Sequence, residues 1–302
     1  MHELETKAVE WNVKLDEIRE TPTSLIGFGV RGARVVLKIS KQDGDESHSG
    51  EVLKAYDGEG AVRVFESETG AVLLERLEPG EPLVNLVKQG RDVEATNVLA
   101  EVIAKLANHK PPIGCPTVAD WGRAFDRYLQ SGDEQIAREV VEEAREMYDQ
   151  LASSQRQTML LHGDLQHYNV LFDNERGWVA IDPKGVIGEL EYEVNALLRN
   201  PIELPDVFAN PVTISRRLES LTTALNLDHA RALRWSYSQS ILSAIWDIED
   251  GHRLTPNTPS LLLAQTLKTN CGRHMFTRTG VWGTRSRGAR GRWWGCVRDR
   301  RL

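Results

Sequence analysis

The residues of this chain that are best suited to chemistry lie in one short stretch. Asp164 and Asn169 follow a His-Gly pair and are five positions apart, and Asp182 comes thirteen residues later in an Ile-Asp-Pro run. A kinase-like phosphotransferase needs this set, since one Asp accepts the proton of the substrate hydroxyl while the Asn and the other Asp bind Mg²⁺ on the ATP phosphates. The plainer interpretation, in which His-Gly-Asp is an ordinary turn and the Asp and Asn are caps, does not account for three polar residues in this frame.

Short apolar runs on either side predict the elements that would hold these residues. Residues 159–161, 170–172 and 178–181 have the composition of strands. The Asp-Asn-Glu-Arg-Gly sequence between the last two predicts a hairpin turn. Asp164 and Asn169 are therefore expected on a loop before one strand, and Asp182 at the end of the next.

The first 80 residues predict a small antiparallel sheet with one inserted helix. Strand-like runs occur at 23–30, 33–39, 61–66 and 71–77, and the run 46–56 favours a helix. A Glu-Pro-Gly-Glu-Pro sequence then interrupts the pattern. Residues 1–80 are thus predicted to form a β-rich lobe.

From about residue 83 the apolar residues recur at helical spacing. Helices are predicted at 92–109, 134–151, 190–199, 212–225 and 228–249, with Asp92 as the N-cap of the first. The fold is therefore predicted to be α+β with two lobes, the second mainly helical and covering residues 81–270. Residues 271–302 are rich in Arg, Gly and Trp without periodicity, which favours a disordered or non-native basic tail over a single-stranded nucleic-acid contact.

Lys38 ends a β-branched strand, and Glu51 lies thirteen residues further on in the predicted helix. In a kinase a strand lysine binds the α- and β-phosphates of ATP, and a helix glutamate holds that lysine in place. The alternative for both residues is a solvated surface charge, and Glu46 is a second candidate for the glutamate. The order of glycine-rich segment, strand lysine, helix glutamate and catalytic loop favours the phosphate role for Lys38.

Two further segments are candidates for nucleotide contacts. Gly27 and Gly29 carry backbone amides that a phosphate could approach closely, although glycines are also common in hairpins. Glu75 to Leu77 end the last strand of the first lobe, where the hinge of a two-lobed kinase binds adenine through its backbone. An edge strand that enters a loop would have the same sequence pattern.

Together these motifs resemble the aminoglycoside phosphotransferase family, whose signature is His-Gly-Asp-Leu, a variable triplet and Asn, followed by Ile-Asp. The matching runs are Leu161–Leu165 and Ile181–Pro183. The streptomycin 6-phosphotransferase and hydroxyurea-resistance branch of the family has sequences similar to three parts of this chain. These are the second run, the Gly-x-x-Gly-Glu sequence after it, and Ser-Ala-Ile-Trp at 243–246. Gln166 departs from the pattern, since many members have His there.

The resemblance implies a two-lobed protein-kinase-like fold that uses ATP and Mg²⁺. It assigns Asp164 as the catalytic base or the group that orients the hydroxyl, and Asn169 and Asp182 as the Mg²⁺ ligands. It also makes Lys38 the phosphate lysine and Glu51 its partner. Carboxylates would bind the guanidinium groups of a streptomycin-like substrate. The candidates for this role are Glu189, Glu191, Asp247 and Asp250.

The expected reaction is transfer of the γ-phosphoryl group of ATP to a hydroxyl of an aminoglycoside, and streptomycin is the acceptor that the resemblance favours. Hydroxyurea or a small alcohol of the choline or homoserine type is the alternative within the same class. A catalytically dead nucleotide-binding protein is the alternative from another class. The presence of all four of Lys38, Asp164, Asn169 and Asp182 disfavours it.

Composition limits the location and the partners. The N-terminus has no signal-peptide character and no apolar stretch is long enough to span a bilayer, so a cytoplasmic location without membrane contact is expected. Residues 1–270 contain 28 Lys and Arg against 43 Asp and Glu, which disfavours nucleic acid and favours a small cationic substrate. The three cysteines lack the spacing of a metal site or a disulfide framework. The oligomeric state is left open.

Overall fold

A computed structural model of the chain describes residues 2–41 and 48–275. The strands are β1 (Lys14–Glu20), β2 (Ser24–Arg31), β3 (Ala33–Ser40), β4 (Val64–Glu68), β5 (Ala71–Glu75), β6 (Pro79–Pro82), β7 (Met159–Leu161), β8 (Val170–Asp173), β9 (Gly177–Ala180) and β10 (Val186–Gly188). The helices are α1 (His2–Glu10), α2 (Ser49–Tyr56), α3 (Val84–Lys88), α4 (Asp92–Leu106), α5 (Val118–Ser131), α6 (Arg138–Ser153), α7 (Val194–Leu198), α8 (Pro205–Phe208), α9 (Pro211–Ala224), α10 (His229–Glu249) and α11 (Pro259–Met275). A 3₁₀ turn, Leu190–Tyr192, precedes α7. Within the described ranges no helix is both long enough and apolar enough to cross a membrane.

The N-terminal strands form a five-stranded antiparallel sheet in the order β1-β2-β3-β5-β4. Successive side chains of a strand point to opposite faces. Val35, Leu37 and Ile39 of β3 are buried in a core that includes Leu4 of α1, whereas Lys38 lines a cavity on the other face. Burying a side chain of this size contributes about 1.5–3 kcal/mol, so α1 helps to stabilise the sheet that carries the lysine.

Two small sheets hold the segment with the predicted catalytic motif. β8 and β9 form the predicted hairpin, and β6 pairs with β8 on its other side. β7 pairs with β10. Asn169 directly precedes β8 and Asp182 lies two residues after β9. The predicted placement of both residues at the ends of the hairpin is therefore confirmed.

By its contacts the chain divides into two compact units, Met1–Thr117 with Gln157–Leu197, and Val118–Arg156 with the chain from Leu198 onward. This grouping differs from the predicted boundary at residue 80. The reason is that β6 pairs with β8, and that the Val62 N–H donates to the Ala180 carbonyl at 2.9 Å. These bonds join the segment with the predicted catalytic motif to the chain before residue 83, so it groups with the N-terminal sheet.

The second unit is built from helices. α6 presents Val141, Ala144 and Tyr148 to the interior at helical spacing. The Tyr148 ring meets Trp235 of α10 edge-on, with centroids 4.9 Å apart, and its hydroxyl donates to the Val118 carbonyl at 2.7 Å. These contacts hold α6, α10 and the start of α5 together. α11 continues past the predicted boundary at residue 271, and the tail from residue 276 lies outside the described part of the chain.

Candidate active site

The loop that carries Asp164 is held by a buried carboxylate. The backbone N–H groups of His162 and Gly163 donate to Glu193, with N···O distances of 2.7 and 3.1 Å. The Leu165 N–H donates to the same carboxylate. Glu193 is only 4% exposed. Three backbone donors on one carboxylate fix the path of the loop on both sides of Asp164.

His162 braces the same loop from inside. Its buried Nε2 lies 2.9 Å from the Ile181 carbonyl, which can only accept, so this nitrogen carries the hydrogen. The Nδ1 atom accepts from the Asp164 N–H at 3.3 Å. Burial lowers the pKa of the imidazole, which keeps the ring neutral. The ring therefore supports the loop and is not needed as a reacting group.

Asn169 is turned with its amide nitrogen toward Asp164. Its Nδ2 donates to the Asp164 carbonyl at 2.9 Å and lies 3.4 Å from the Asp164 Oδ2. The Ile181 N–H donates to the Asn169 carbonyl at 2.9 Å, which ties this loop to the strand end before Asp182. The side-chain oxygen of Asn169 is therefore left as the atom that can bind a hard cation.

Asp182 has a φ of 60°, in the left-handed region that few non-glycine residues adopt. Its Oδ1 forms an ion pair with the Nζ of Lys38. The lysine side chain is 14% exposed and the aspartate 40%, so the carboxylate keeps one open side. The structure thus brings together the predicted phosphate lysine and one predicted metal ligand.

A cavity of about 350 Å³ lies beside this ion pair. Its walls include Ile26, Phe28, Val36, Lys38, Ser49, Leu53, Val62, Leu74, Glu75, Arg76, Leu77, Leu171, Ile181 and Asp182. The N–H groups of Glu75 and Arg76 donate to the carbonyls of Arg63 and Arg34. The Leu77 N–H makes no hydrogen bond within the described ranges. An apolar slot with an available backbone donor suits a purine, and the structure places the predicted hinge, Glu75–Leu77, in its wall.

Gly27 and Gly29 lie inside β2 and do not line the cavity. A Cβ at Gly27 would come within 2.7 Å of the Leu15 side chain, and one at Gly29 within 2.4 Å of the Lys14 carbonyl oxygen. The predicted role of covering phosphates is therefore replaced by close packing of β2 on β1. The alternate residue Phe28 faces the cavity instead, with the guanidinium carbons of Arg19 and Arg76 each 4.9 Å from its ring centroid. Sequence reasoning missed this aromatic, although strand alternation places it opposite the glycines.

Glu51 is exposed on α2 and makes no hydrogen bond or ion pair with the described residues. The residues of α2 that line the cavity are Ser49 and Leu53. Ser49 and Leu53 are four positions apart and therefore lie on the same face of the helix. Glu51, midway between them, lies on a different face. The structure therefore does not bring Glu51 to Lys38. Glu46, the second candidate, lies outside the described residues.

The four predicted substrate acids lie in different environments. Glu189 is 2% exposed, so it does not offer a surface carboxylate, and its predicted contact with substrate is corrected to a buried position before the 3₁₀ turn. Glu191 is half-buried in that turn. Asp247 is half-buried near the end of α10, where burial raises its pKa and the Ser260 hydroxyl donates to it at 3.3 Å. Asp250 is exposed just after α10.

Glu193 is a site residue that sequence reasoning missed. It lies in an acidic run, Glu-Leu-Glu-Tyr-Glu, in which Glu189 is also buried and Glu191 is half-buried, and nothing in the run shows which of the three acids binds the loop. A signal would have been its place next to the apolar helix α7, which predicts burial.

We expect Glu193 to make the protein less stable as the pH rises from 4.5 to about 7. Burial raises the pKa of its carboxyl from 4.5 to about 7, and the backbone N–H groups of the loop offset only part of this. In that interval the unfolded chain has lost the proton and the folded chain still holds it, so the free energy of unfolding falls with pH. A shift of this size corresponds to about 3 kcal/mol.

Urea unfolding at pH 5 and pH 7.5 tests this expectation on the wild type and on Glu193→Gln. The glutamine cannot ionise, so the variant should lose this part of the pH slope. It should also be less stable at pH 7.5, because its amide NH₂ would meet a backbone N–H donor, at a cost of about 1–3 kcal/mol. Parallel pH dependences in the two proteins would contradict the assignment.

The donor set fits Mg²⁺ better than a metal cage made only of protein ligands. In the described parts of the chain no group of three or more His, Cys, Asp or Glu side chains is gathered to hold an ion. Asn169 and Asp182 offer hard oxygen atoms at the two ends of one hairpin. Mg²⁺ commonly takes one or two such ligands together with substrate phosphates.

A lysine–aspartate pair lies beside a purine-sized cavity, and one hairpin joins this pair to a braced Asp-Asn loop. This arrangement places the molecule in the class of kinase-like phosphotransferases. Solved structures share this fold. A mutant of aminoglycoside phosphotransferase APH(4)-Ia with ADP and hygromycin B matches with a TM-score of 0.62 at 14% identity, over 91% of this chain and 99% of that one. A choline/ethanolamine kinase family protein from Mesorhizobium loti matches with a TM-score of 0.61 at 14% identity, over 87% and 89%.

The chain belongs to the aminoglycoside/hydroxyurea antibiotic resistance kinase family, whose model matches residues 11–251. It is 34% identical to the streptomycin 3″-kinase of Klebsiella pneumoniae, over 72% of this chain and 80% of that protein. It is 30% identical to the hydroxyurea phosphotransferase of Kitasatospora aureofaciens, over 74% and 65%, and 29% identical to the streptomycin 6-kinase of Streptomyces glaucescens, over 78% of each. The family resemblance and the kinase-like fold predicted from sequence are therefore confirmed.

Proposed function

We propose that this enzyme transfers the γ-phosphoryl group of ATP to a hydroxyl of streptomycin or a related aminoglycoside, with Mg²⁺ as cofactor, in the cytoplasm where ATP is available. The observation that supports this proposal most is the arrangement of two pairs of residues. The braced pair of Asp164 and Asn169 is linked through hydrogen bonds of the main chain to the Lys38–Asp182 pair. The acceptor is supported by relatives that are streptomycin kinases, at 28–34% identity.

Each side chain then has one task. Asp164 accepts or orients the proton of the attacking hydroxyl. Asn169 and Asp182 would hold Mg²⁺, which supplies charge neutralisation on the phosphates when bound. Lys38 contacts the α- and β-phosphates, and the hinge fixes the adenine. Most of the rate enhancement would come from positioning, because phosphoryl transfer asks little covalent chemistry of the protein.

A cationic acceptor needs carboxylates that remain accessible. Asp250 is exposed, and Asp247 and Glu191 are half-buried, so these three stay as candidates for binding the guanidinium groups of streptomycin. Burial raises the pKa of Asp247, and a guanidinium bound beside it would favour the ionised carboxylate and so oppose that shift.

The test is ADP release by the full chain with ATP, Mg²⁺ and one acceptor at a time. Streptomycin should stimulate ADP release strongly, whereas ADP release with choline or homoserine should stay at the background rate. Hydroxyurea is the second candidate, because one relative at 30% identity is a hydroxyurea phosphotransferase. Turnover with hydroxyurea alone would replace streptomycin as acceptor, and ATP binding without turnover on any acceptor would contradict the proposal. NMR of the product would identify the phosphorylated hydroxyl.

A further inference from the structure

Arg176 lies in the turn between β8 and β9, and its guanidinium binds groups from two distant segments. Its Nη1 pairs with the carboxylate of Glu75 in the hinge, 101 residues away in sequence. Its Nη2 donates to the main-chain carbonyls of Gly58 and Ala61, the latter at 2.9 Å. The side chains of Arg176 and Glu75 are only 16% and 15% exposed. Both terminal nitrogens of this largely buried guanidinium are engaged, so the contact is not a surface ion pair.

The same turn also holds the far end of the hinge. The Oδ2 of Asp173 accepts the Glu78 N–H at 2.9 Å, and its Oδ1 accepts the N–H groups of Glu175 and Arg176 at 3.0 Å each. The Asn174 N–H donates to the Glu78 carbonyl at 2.8 Å. The backbone that would face adenine is therefore fastened on both sides to one hairpin turn.

The second segment held by Arg176 also reaches the cavity. The Ala180 N–H donates to the Gly60 carbonyl at 2.8 Å, and the Val62 N–H donates back to Ala180 at 2.9 Å. Val62 lines the cavity, as do Leu171 within the hairpin and Ile181 directly after it. The guanidinium thus lies where three parts of the cavity wall meet.

We propose that Arg176 is a positioning residue for the nucleotide, which sets the adenine-binding hinge against the hairpin that carries Asn169 and Asp182 at its ends. The planar fork of arginine can bind a carboxylate and two carbonyls at once, which a lysine ammonium cannot do in the same geometry. The inference rests on the proposed use of ATP and is independent of the acceptor.

The test measures binding of adenosine, ADP and tripolyphosphate to the wild type and to Arg176→Gln by calorimetry. The dissociation constants of adenosine and ADP should rise about tenfold, and that of tripolyphosphate should stay within about twofold. The KM for streptomycin should likewise stay within about twofold. Arg63→Gln is the matched control, because Arg63 also reaches Glu75, at 3.4 Å, but is 61% exposed. That variant should bind all three ligands like the wild type.

A double-mutant cycle separates positioning from general damage. In a Glu75→Ala background the Arg176→Gln change should weaken ADP binding less than it does in the wild type, since the carboxylate is already lost and only the bonds to the Gly58 and Ala61 carbonyls remain to be broken. Arg176→Lys, which retains the charge, should keep the melting temperature near that of the wild type and still weaken adenosine binding about threefold or more. Arg176→Lys therefore tests the proposal if Arg176→Gln does not fold.

Unchanged adenosine binding in Arg176→Lys and Arg176→Gln would overturn the inference. Equal weakening of adenosine, tripolyphosphate and streptomycin binding would also overturn it, since that is the pattern of a structural defect alone. A wild type that binds ADP but phosphorylates no acceptor would refute the proposed function. In that case the loss of adenosine binding in the Arg176 variants would still support Arg176 as a positioning residue for the nucleotide.

Discussion

Asp164→Asn should lower kcat by about 10²–10⁴-fold and leave the KM for ATP within about twofold. Asparagine has nearly the same shape but cannot accept a proton from the acceptor hydroxyl. The loop should keep its path, because Glu193 binds its backbone N–H groups and Asn169 binds the Asp164 carbonyl. Neither of these bonds uses the Asp164 carboxylate. The loss should therefore fall on the chemical step.

Streptomycin-dependent ADP release gives kcat, and calorimetric binding of ADP shows whether the nucleotide site is intact. Asp206→Asn, at an exposed position in α8, controls for the loss of one negative charge. It should behave as the wild type in both assays. A kcat for Asp164→Asn within about threefold of the wild type would exclude Asp164 as the base.

The segment with the predicted catalytic motif was predictable because its signals lie close together in the sequence. Asp164, Asn169 and Asp182 lie within nineteen residues, and the flanking apolar runs that form β7, β8 and β9 bound them. Strand spacing and turn chemistry are read over the same short range. Motif, hairpin and placement at the strand ends therefore agree between sequence and structure.

Contacts that depend on the pairing of distant segments could not be predicted in the same way. The bond between Arg176 and Glu75 joins residues 101 positions apart, and nothing near either residue marks the other. The brace by Glu193 likewise depends on a fold that turns one particular acid of an acidic run toward the loop. For Gly27 and Gly29 the residue type was informative but the consequence was ambiguous, since glycine allows close approach to a phosphate or to a neighbouring strand.

Helix boundaries were likewise predictable where the local pattern is strong and were missed where it is weak. α6, α9 and α10 begin and end within a few residues of the predicted positions, because α6 and α9 have a sustained apolar stripe and α10 is a long helix buried on most of its faces. α1 has only Leu4 and Ala8 as buried residues and too weak a pattern to be seen. α5 was not predicted, although Trp121, Phe125 and Tyr128 recur at helical spacing and lie on its buried face. The run predicted as a helix at 190–199 is divided into a 3₁₀ turn and α7.

Asp182→Asn should remove most of the Mg²⁺ dependence of ADP binding and lower kcat by about 10³-fold. In the wild type the Asp182 carboxylate pairs with Lys38 and keeps an open side toward the cavity. Without Mg²⁺ that carboxylate repels the phosphates and competes with them for the lysine. With Mg²⁺ the same carboxylate would serve as a ligand of the metal. The two effects of one charge therefore have opposite signs.

Calorimetric titration of ADP in EDTA and in excess Mg²⁺ separates these effects. In EDTA the variant should bind ADP as tightly as the wild type or more tightly, because Lys38 is released from its ion pair. In Mg²⁺ the wild type should gain affinity and the variant should fall behind by roughly 10–100-fold, the size expected for one charge-assisted contact. Only a carboxylate that binds the metal predicts this reversal. An equal effect of Mg²⁺ on the two proteins would mean that Asp182 serves Lys38 alone, and that the metal is held elsewhere.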